Sequence, residues 1–149
     1  MDQVIIGVDT HKSNHIAVAM NTQGARLGGL TIPTTCQGYL DLEVWGSKFG
    51  SIKAFGIEGT GSYGAALSRD LLAKGHTVLD VMRPNRQLRY LHGKSDSLDA
   101  ESAARSVLNG QATALAKTQI GACEMIRHIK MARDSAVKSR SQAMITLKA

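Results

Sequence analysis

The sequence predicts an α/β fold built on one mixed sheet, and three observations lead there. Three strand-like runs precede Pro33, joined by connections too short for a helix, so they pair antiparallel. Beyond Pro33 the order becomes helix–strand–helix–strand, which gives parallel pairing through right-handed crossovers. A length of 149 residues with 43% hydrophobic content suits one globular core, with room for an extension.

Val4-Ile5-Ile6-Gly7-Val8-Asp9 is a compact apolar run that ends in an acid, the mark of a buried strand. His15 to Met20 is the second strand, Asn21-Thr22-Gln23-Gly24 a turn, and Ala25 to Ile32 the third strand, which Pro33 ends. Thr35 to Phe49 has helical spacing, with Leu42, Trp45 and Phe49 on one face; Gly38 and Gly46 weaken it and Gly50 ends it. Ile52 to Glu58 is a fourth strand, again apolar and again closed by an acid. Gly59-Thr60-Gly61-Ser62 turns the chain into a helix over Tyr63–Lys74, with Thr60 and Ser62 as capping residues. Thr77 to Met82 is the fifth strand.

Arg83 to Gly93 reads as a loop or broken helix. A helix then opens in Lys94-Ser95-Asp96-Ser97-Leu98-Asp99-Ala100-Glu101, capped by Asp96 or Ser97, and runs to Asn109-Gly110. Gln111 to Gln119 reads as a polar linker, and Ile120 to Ala149 as one long helix. The expected organisation is therefore a domain over 1–110, then a linker and the start of a long helix over 111–149. Met125, Ile129, Ala132, Ala136 and Ala143 offer that helix a seam of mostly small residues, ringed by bases. Such a helix needs a partner, and the chain stops without a capping signal, so a fragment of a longer protein is expected.

Aromatic content of 4% leaves the core to Val, Ile, Leu, Ala and Met. The net charge is +6 and the pI near 9.6, which makes an anionic partner plausible. The surplus has a location: from Arg83 onward there are twelve Lys and Arg against five Asp and Glu, whereas Met1–Met82 holds six against seven. Cys36 and Cys123 lack metal-type spacing and read as reduced thiols of a cytosolic protein. No signal peptide or membrane-length apolar run is present.

Two strands end in an acid, Asp9 and Glu58, and strand ends are where α/β sheets build sites. Asp96 and Asp99 are three apart and share a face of their helix's first turn. Each acid has a plain structural use: capping for Asp96 and Asp99, a turn for Asp9, a basic neighbour for Glu58. Taken together, if the first and fourth strands are neighbours, four carboxylates can meet at one place. Their mutual repulsion is relieved by divalent cations, and all-oxygen ligands suit Mg²⁺ or Mn²⁺ rather than zinc. Two such ions serve phosphodiester chemistry by stabilising the attacking and leaving oxygens.

Ile6-Gly7-Val8-Asp9-Thr10-His11-Lys12, Ile57-Glu58-Gly59-Thr60-Gly61-Ser62-Tyr63 and Lys94-Ser95-Asp96-Ser97-Leu98-Asp99-Ala100 resemble the three signature blocks of the DEDD transposases, in the same order. These are bridge-RNA-guided insertion-sequence recombinases, relatives of the pilin-gene invertases. The resemblance implies an RNase H-like (RuvC-like) fold, with a five-stranded sheet of order 3-2-1-4-5. It implies Asp9, Glu58, Asp96 and Asp99 as a tetrad holding two Mg²⁺ or Mn²⁺ ions. It also implies a coiled coil that begins at the long helix, and a downstream domain with a serine nucleophile, to which no serine of this chain is assigned.

On this reading the chain is the N-terminal catalytic domain of a transposase that cleaves and transfers DNA strands. Its partners are element-end and target DNA, a guide RNA and a second copy of itself through the long helix. The setting is cytoplasmic, at the nucleoid of a bacterium or archaeon, with no membrane. Lys12, Arg83, Arg86, Arg89, Lys94, Arg127 and Lys130 are the candidate contacts to the nucleic-acid backbone, gripping without reading sequence. Three readings stay open beside it. One is a stand-alone Holliday-junction nuclease of the same fold. Another is a sugar-kinase or actin-like ATPase, for which Asp9-Thr10-His11-Lys12 would be a phosphate turn. The last is a non-enzymatic fragment for nucleic-acid binding and dimerisation.

Overall fold

The computed structural model describes residues 2–82, 96–118 and 120–148, with Asp96 by its backbone alone. Strands β1 (Gln3–Thr10), β2 (Asn14–Asn21) and β3 (Arg26–Pro33) form the antiparallel meander. Helix α1 (Cys36–Ser47), strand β4 (Ser51–Glu58), helix α2 (Ala65–Ala73) and strand β5 (Val78–Val81) follow. Both later strands pair parallel, β4 with β1 and β5 with β4. The sheet order is β3-β2-β1-β4-β5, as the resemblance implies. Helices α3 (Asp96–Leu108) and α4 (Ala122–Lys148) complete the described elements.

β1 is central, and every residue from Val4 to Thr10 is buried. A strand covered on both faces needs a continuous apolar run rather than alternation, which explains its sequence. Successive side chains still point to opposite faces. Ile6 and Val8 join Leu42, Phe55, Ile57, Leu67 and Leu71 in the main core, between the sheet and the helices α1 and α2. Ile5 turns the other way and packs with Met20 and Ala104, against α3.

α1 begins where a cap allows it: the Thr35 hydroxyl accepts a hydrogen bond from the Gly38 N–H at 3.1 Å. Leu42 is fully buried, Trp45 packs on the main core and Phe49 meets the Trp45 ring edge-on at 5.2 Å, on the face expected of them. Leu40 and Val44 point to solvent. Glu43 is an anchor between halves of the domain, accepting from the Lys74 ammonium and meeting His76 Nε2 at 2.7 Å. Burial works against its ionisation, but the hydrogen bonds from Lys74 and His76 outweigh it and hold its pKa below the ordinary glutamate value.

Two expectations need correction. α2 starts at Ala65, and its N-cap is Gly64 with no side-chain capping bond. Thr60 and Ser62 do not cap it: the Thr60 hydroxyl donates to Asp80 Oδ1 at 2.6 Å, and the Ser62 hydroxyl to the Gly59 carbonyl at 3.2 Å. The segment after α3 is also no free linker. The Asp80 N–H donates to the Ala114 carbonyl at 2.8 Å and the Ala116 N–H to the Val78 carbonyl at 2.9 Å, so the chain runs beside β5. Ala112, Ala114 and Ala116 are small enough for the backbone to approach and cover that strand's open edge.

One compact unit accordingly extends from Met1 to Thr118, and a second spans Gln119–Ala149. The second is helix α4, 27 residues long, with no buried residue. Side-chain pairs one turn apart support it, Arg127 with Glu124 and Lys130 with Asp134, both at 2.7 Å. Among the described residues no helix is long and apolar enough to cross a membrane.

Candidate active site

The site is best approached from two glycines. Gly7 on β1 and Gly56 on β4 are directly paired across the parallel ladder. A Cβ added at Gly7 would stand 2.0 Å from the Ala100 carbonyl and 2.4 Å from the Ala104 nitrogen. One added at Gly56 would stand 2.6 Å from the Val107 side chain and 2.9 Å from the Ala103 carbonyl. Helix α3 therefore rests its backbone directly on the sheet, and the buried Ala100, Ala103 and Ala104 keep its own side chains out of the way.

The helix runs antiparallel to β1. Its Leu108 and Val107 pack with Ile5 and Met20 near the start of β1, while Ala100 lies over Gly7. The turn before Ala100, which carries Asp96 and Asp99, is thus directed toward the C-terminal end of β1. Asp9 and Glu58 each stand two residues beyond a glycine of this floor, so they share its face of the sheet. Each is only 5% exposed, which is rare for a carboxylate without a function or partner. Glu101 steadies α3 from its flank: it accepts from Arg105 at 2.7 Å and lies 3.6 Å from Arg26 of β3.

Around Asp9 the turn into β2 adds two bases. His11 Nε2 lies 3.1 Å from Asp9 Oδ2, and Lys12 is exposed. The Thr34 hydroxyl donates to the Lys12 carbonyl at 3.2 Å and fixes this turn. Of the remaining basic candidates, Arg83, Arg86, Arg89 and Lys94 lie outside the described residues. Arg127 and Lys130 belong to the second unit, each engaged by an acid of its own helix, and the Glu124 hydrogen bond raises the Arg127 pKa.

Among the described residues no three of His, Cys, Asp and Glu lie close enough to form a finished metal cage. The side chain of Asp96, the fourth acid of the set, is outside the description. The donor chemistry still suits a hard divalent cation: Asp9 and Glu58 offer carboxylate oxygens from adjacent strand ends.

Four residues near the site have no individual role in the reading of the sequence: Gly7, Gly56, Thr10 and Asp80. The glycines had a signal, because Gly7-Val8-Asp9 and Gly56-Ile57-Glu58 repeat one spacing on two strands. The Thr10 hydroxyl donates to the Glu58 carbonyl at 2.8 Å, and Asp80 receives Thr60. Both contacts join distant parts of the chain and leave no local pattern.

The family profile of the insertion-sequence DEDD transposases, described as "Transposase", matches residues 6–149. Among solved structures, RuvC of T. thermophilus in complex with a Holliday junction substrate matches with a TM-score of 0.50 and 13% sequence identity. That match covers 73% of this chain and 95% of the RuvC chain, so the two share the RuvC-like fold. A comparison with curated proteins finds no match.

Proposed function

The chain belongs to the DEDD transposase family, and from that premise we propose that it is the catalytic domain in which Asp9, Glu58, Asp96 and Asp99 hold Mg²⁺ or Mn²⁺ against a scissile DNA phosphate. The observation that carries this reading is the pair of buried carboxylates, Asp9 and Glu58, on one face at the ends of adjacent strands, beneath the helix that starts with Asp96 and Asp99. Bound divalent ions supply charge neutralisation to the phosphate and to the attacking and leaving oxygens. The protein's part is placement. The glycine floor sets the height of α3 above the sheet acids, and burial keeps their carboxylates from swinging into solvent.

Lys12, with Arg83, Arg86, Arg89 and Lys94, grips the DNA or guide-RNA backbone through charge and without base reading. The reaction is strand cleavage and transfer in insertion-sequence mobilisation, guided by RNA in the whole protein. The family's serine supplies the nucleophile. α4 continues as a coiled coil that joins two copies.

Recombination by the protein that carries this chain tests the site. Asp9→Asn and Asp99→Asn each lower it by about 100-fold or more, with the fold retained by circular dichroism. Undiminished recombination in both variants would refute the metal site. The RuvC neighbour makes a Holliday junction the informative second substrate. Mn²⁺-dependent cleavage of that junction by the 149-residue chain alone would favour a stand-alone nuclease instead.

A further inference from the structure

Asp9 and Glu58 stand where β1 and β4 part, although Asp9 remains paired with Ile16 of β2 and Glu58 with Val81 of β5. The parallel ladder between β1 and β4 ends at the pair Val8–Ile57, one residue short of both acids. Beyond that pair no further β1–β4 register pair fixes the separation of the two strand ends. In its place the Thr10 hydroxyl, 5% exposed, donates to the Glu58 carbonyl at 2.8 Å.

The surroundings are fitted to that threonine. Thr10 lies on the face opposite Asp9, by the alternation of the strand. A Cβ at Gly64 would stand 3.1 Å from the Thr10 methyl, and one at Gly59 would stand 3.1 Å from its hydroxyl oxygen. Gly59 also has φ +73°, so the turn leaves Glu58 in a direction that other residues resist. On the far side, Glu58 is paired with Val81 of β5. The next residue but one, Thr60, donates to Asp80 of the same strand at 2.6 Å. Glu58 is therefore tied on one side to β1 through Thr10 and on the other to β5 through its ladder and Thr60.

We infer that Thr10 is a positioning residue: its hydroxyl replaces the missing ladder bond and holds the Glu58 backbone at the spacing from Asp9 that a shared cation needs, with the Thr60–Asp80 bond as an outer tie. The inference rests on the carboxylate site proposed above. It explains why a β-branched hydroxyl residue stands at this position: the methyl fills the gap over Gly64 while the hydroxyl reaches across to β4.

The test is Mn²⁺ binding to the chain, followed by calorimetry without DNA, together with the melting midpoint of the metal-free protein. Thr10→Val keeps the shape and removes the hydroxyl, and it weakens Mn²⁺ binding about 10-fold, as loss of a supporting hydrogen bond behind a ligand does. Thr10→Ser keeps the hydroxyl and binds Mn²⁺ within about twofold of the wild type, even where the lost methyl lowers the melting midpoint. Thr60→Val keeps the shape, removes the hydroxyl that makes the outer tie to Asp80, and weakens binding by about threefold. A purely structural threonine gives the opposite split, with Ser and Val lowering the melting midpoint and neither changing affinity, and that result overturns the inference. Should Thr10→Val fail to fold, unchanged affinity in Thr60→Val together with a 10-fold loss in Thr10→Ser overturns it as well. Glu58→Gln separates the two levels of the argument. If the wild type binds no Mn²⁺, or Glu58→Gln binds as well as the wild type, the carboxylate site itself fails and the inference falls with it.

Discussion

Beneath α1 and α2 the sheet presents Ile6, Val8, Phe55 and Ile57, all fully buried, while beneath α3 the same two strands present Gly7 and Gly56. One face is filled by large side chains meeting large side chains. The other is emptied so that a helix backbone can lie on the sheet. The difference follows the division of labour. The filled face supplies the hydrophobic free energy of the domain, roughly 1.5–3 kcal/mol for each large apolar side chain buried. The emptied face contributes less burial but fixes a distance, because backbone against backbone has no rotamers with which to adjust. The acids stand on the emptied face.

The contrast breaks if both faces respond alike to mutation. Phe55→Ala has the largest expected effect, since the ring is fully buried among Leu42, Leu67, Leu71 and Val78. It costs about 4 kcal/mol of unfolding free energy in a urea titration. At a temperature where the variant is folded, its Mn²⁺ affinity stays that of the wild type. A parallel loss of affinity would mean that the filled face also sets the site. Gly7→Ala is the converse. Its methyl meets the α3 backbone at Ala100 and Ala104, which cannot rotate aside. It costs about 3 kcal/mol by overpacking, and the folded protein also loses Mn²⁺ affinity because α3 is lifted from Asp9. Loss of stability with affinity intact would show that the floor is packing alone.

The same contrast explains what could be seen in the sequence. β1 and β4 are legible because each is a largely apolar run closed by an acid, Pro33 marks the end of β3, and the topology follows from connection lengths. Leu42, Trp45 and Phe49 were legible as a face because large side chains at helical spacing announce themselves. The emptied face was harder. Gly7 and Gly56 weaken a strand by propensity and read as blemishes until the helix above them is seen. The alternating alanines of 112–116 read as linker because small residues carry little hydrophobic signal, although their backbone closes the edge of β5. Thr60 and Ser62 looked like caps because local rules favour a hydroxyl before a helix; a partner twenty residues away, Asp80, took the Thr60 hydroxyl instead. Asp9 and Glu58 stand out in the sequence by position alone, while the Thr10 hydroxyl bond to the Glu58 carbonyl is a contact across 48 residues.

A buried titratable residue on the filled face gives the comparison its finest test. His15 is fully buried, its ring stacked on Tyr39 with centroids 6.1 Å apart and planes within 6°. Its ring nitrogens meet no full hydrogen bond. Burial is the main cause that lowers its pKa below the ordinary 6.5; the Asn14 backbone offsets this in part, and the neighbouring His11 adds to it. A base whose pKa is depressed on folding binds fewer protons in the folded state, so its contribution to stability is full above pH 6.5 and is lost as pH falls from 6.5 through the folded value. Glu43, the other group with a lowered pKa among the described residues, follows the same sign in a lower window, beginning only below its ordinary 4.5. The two are therefore separable in a pH series of unfolding free energies. His15→Leu, close in volume and unable to take a proton, flattens the slope just below pH 6.5 and leaves the acid-range slope that belongs to Glu43. An unchanged slope in the variant would mean that His15 reaches solvent and titrates as in the unfolded chain, and that the face under α1 and α2 is less completely filled than its apolar residues indicate.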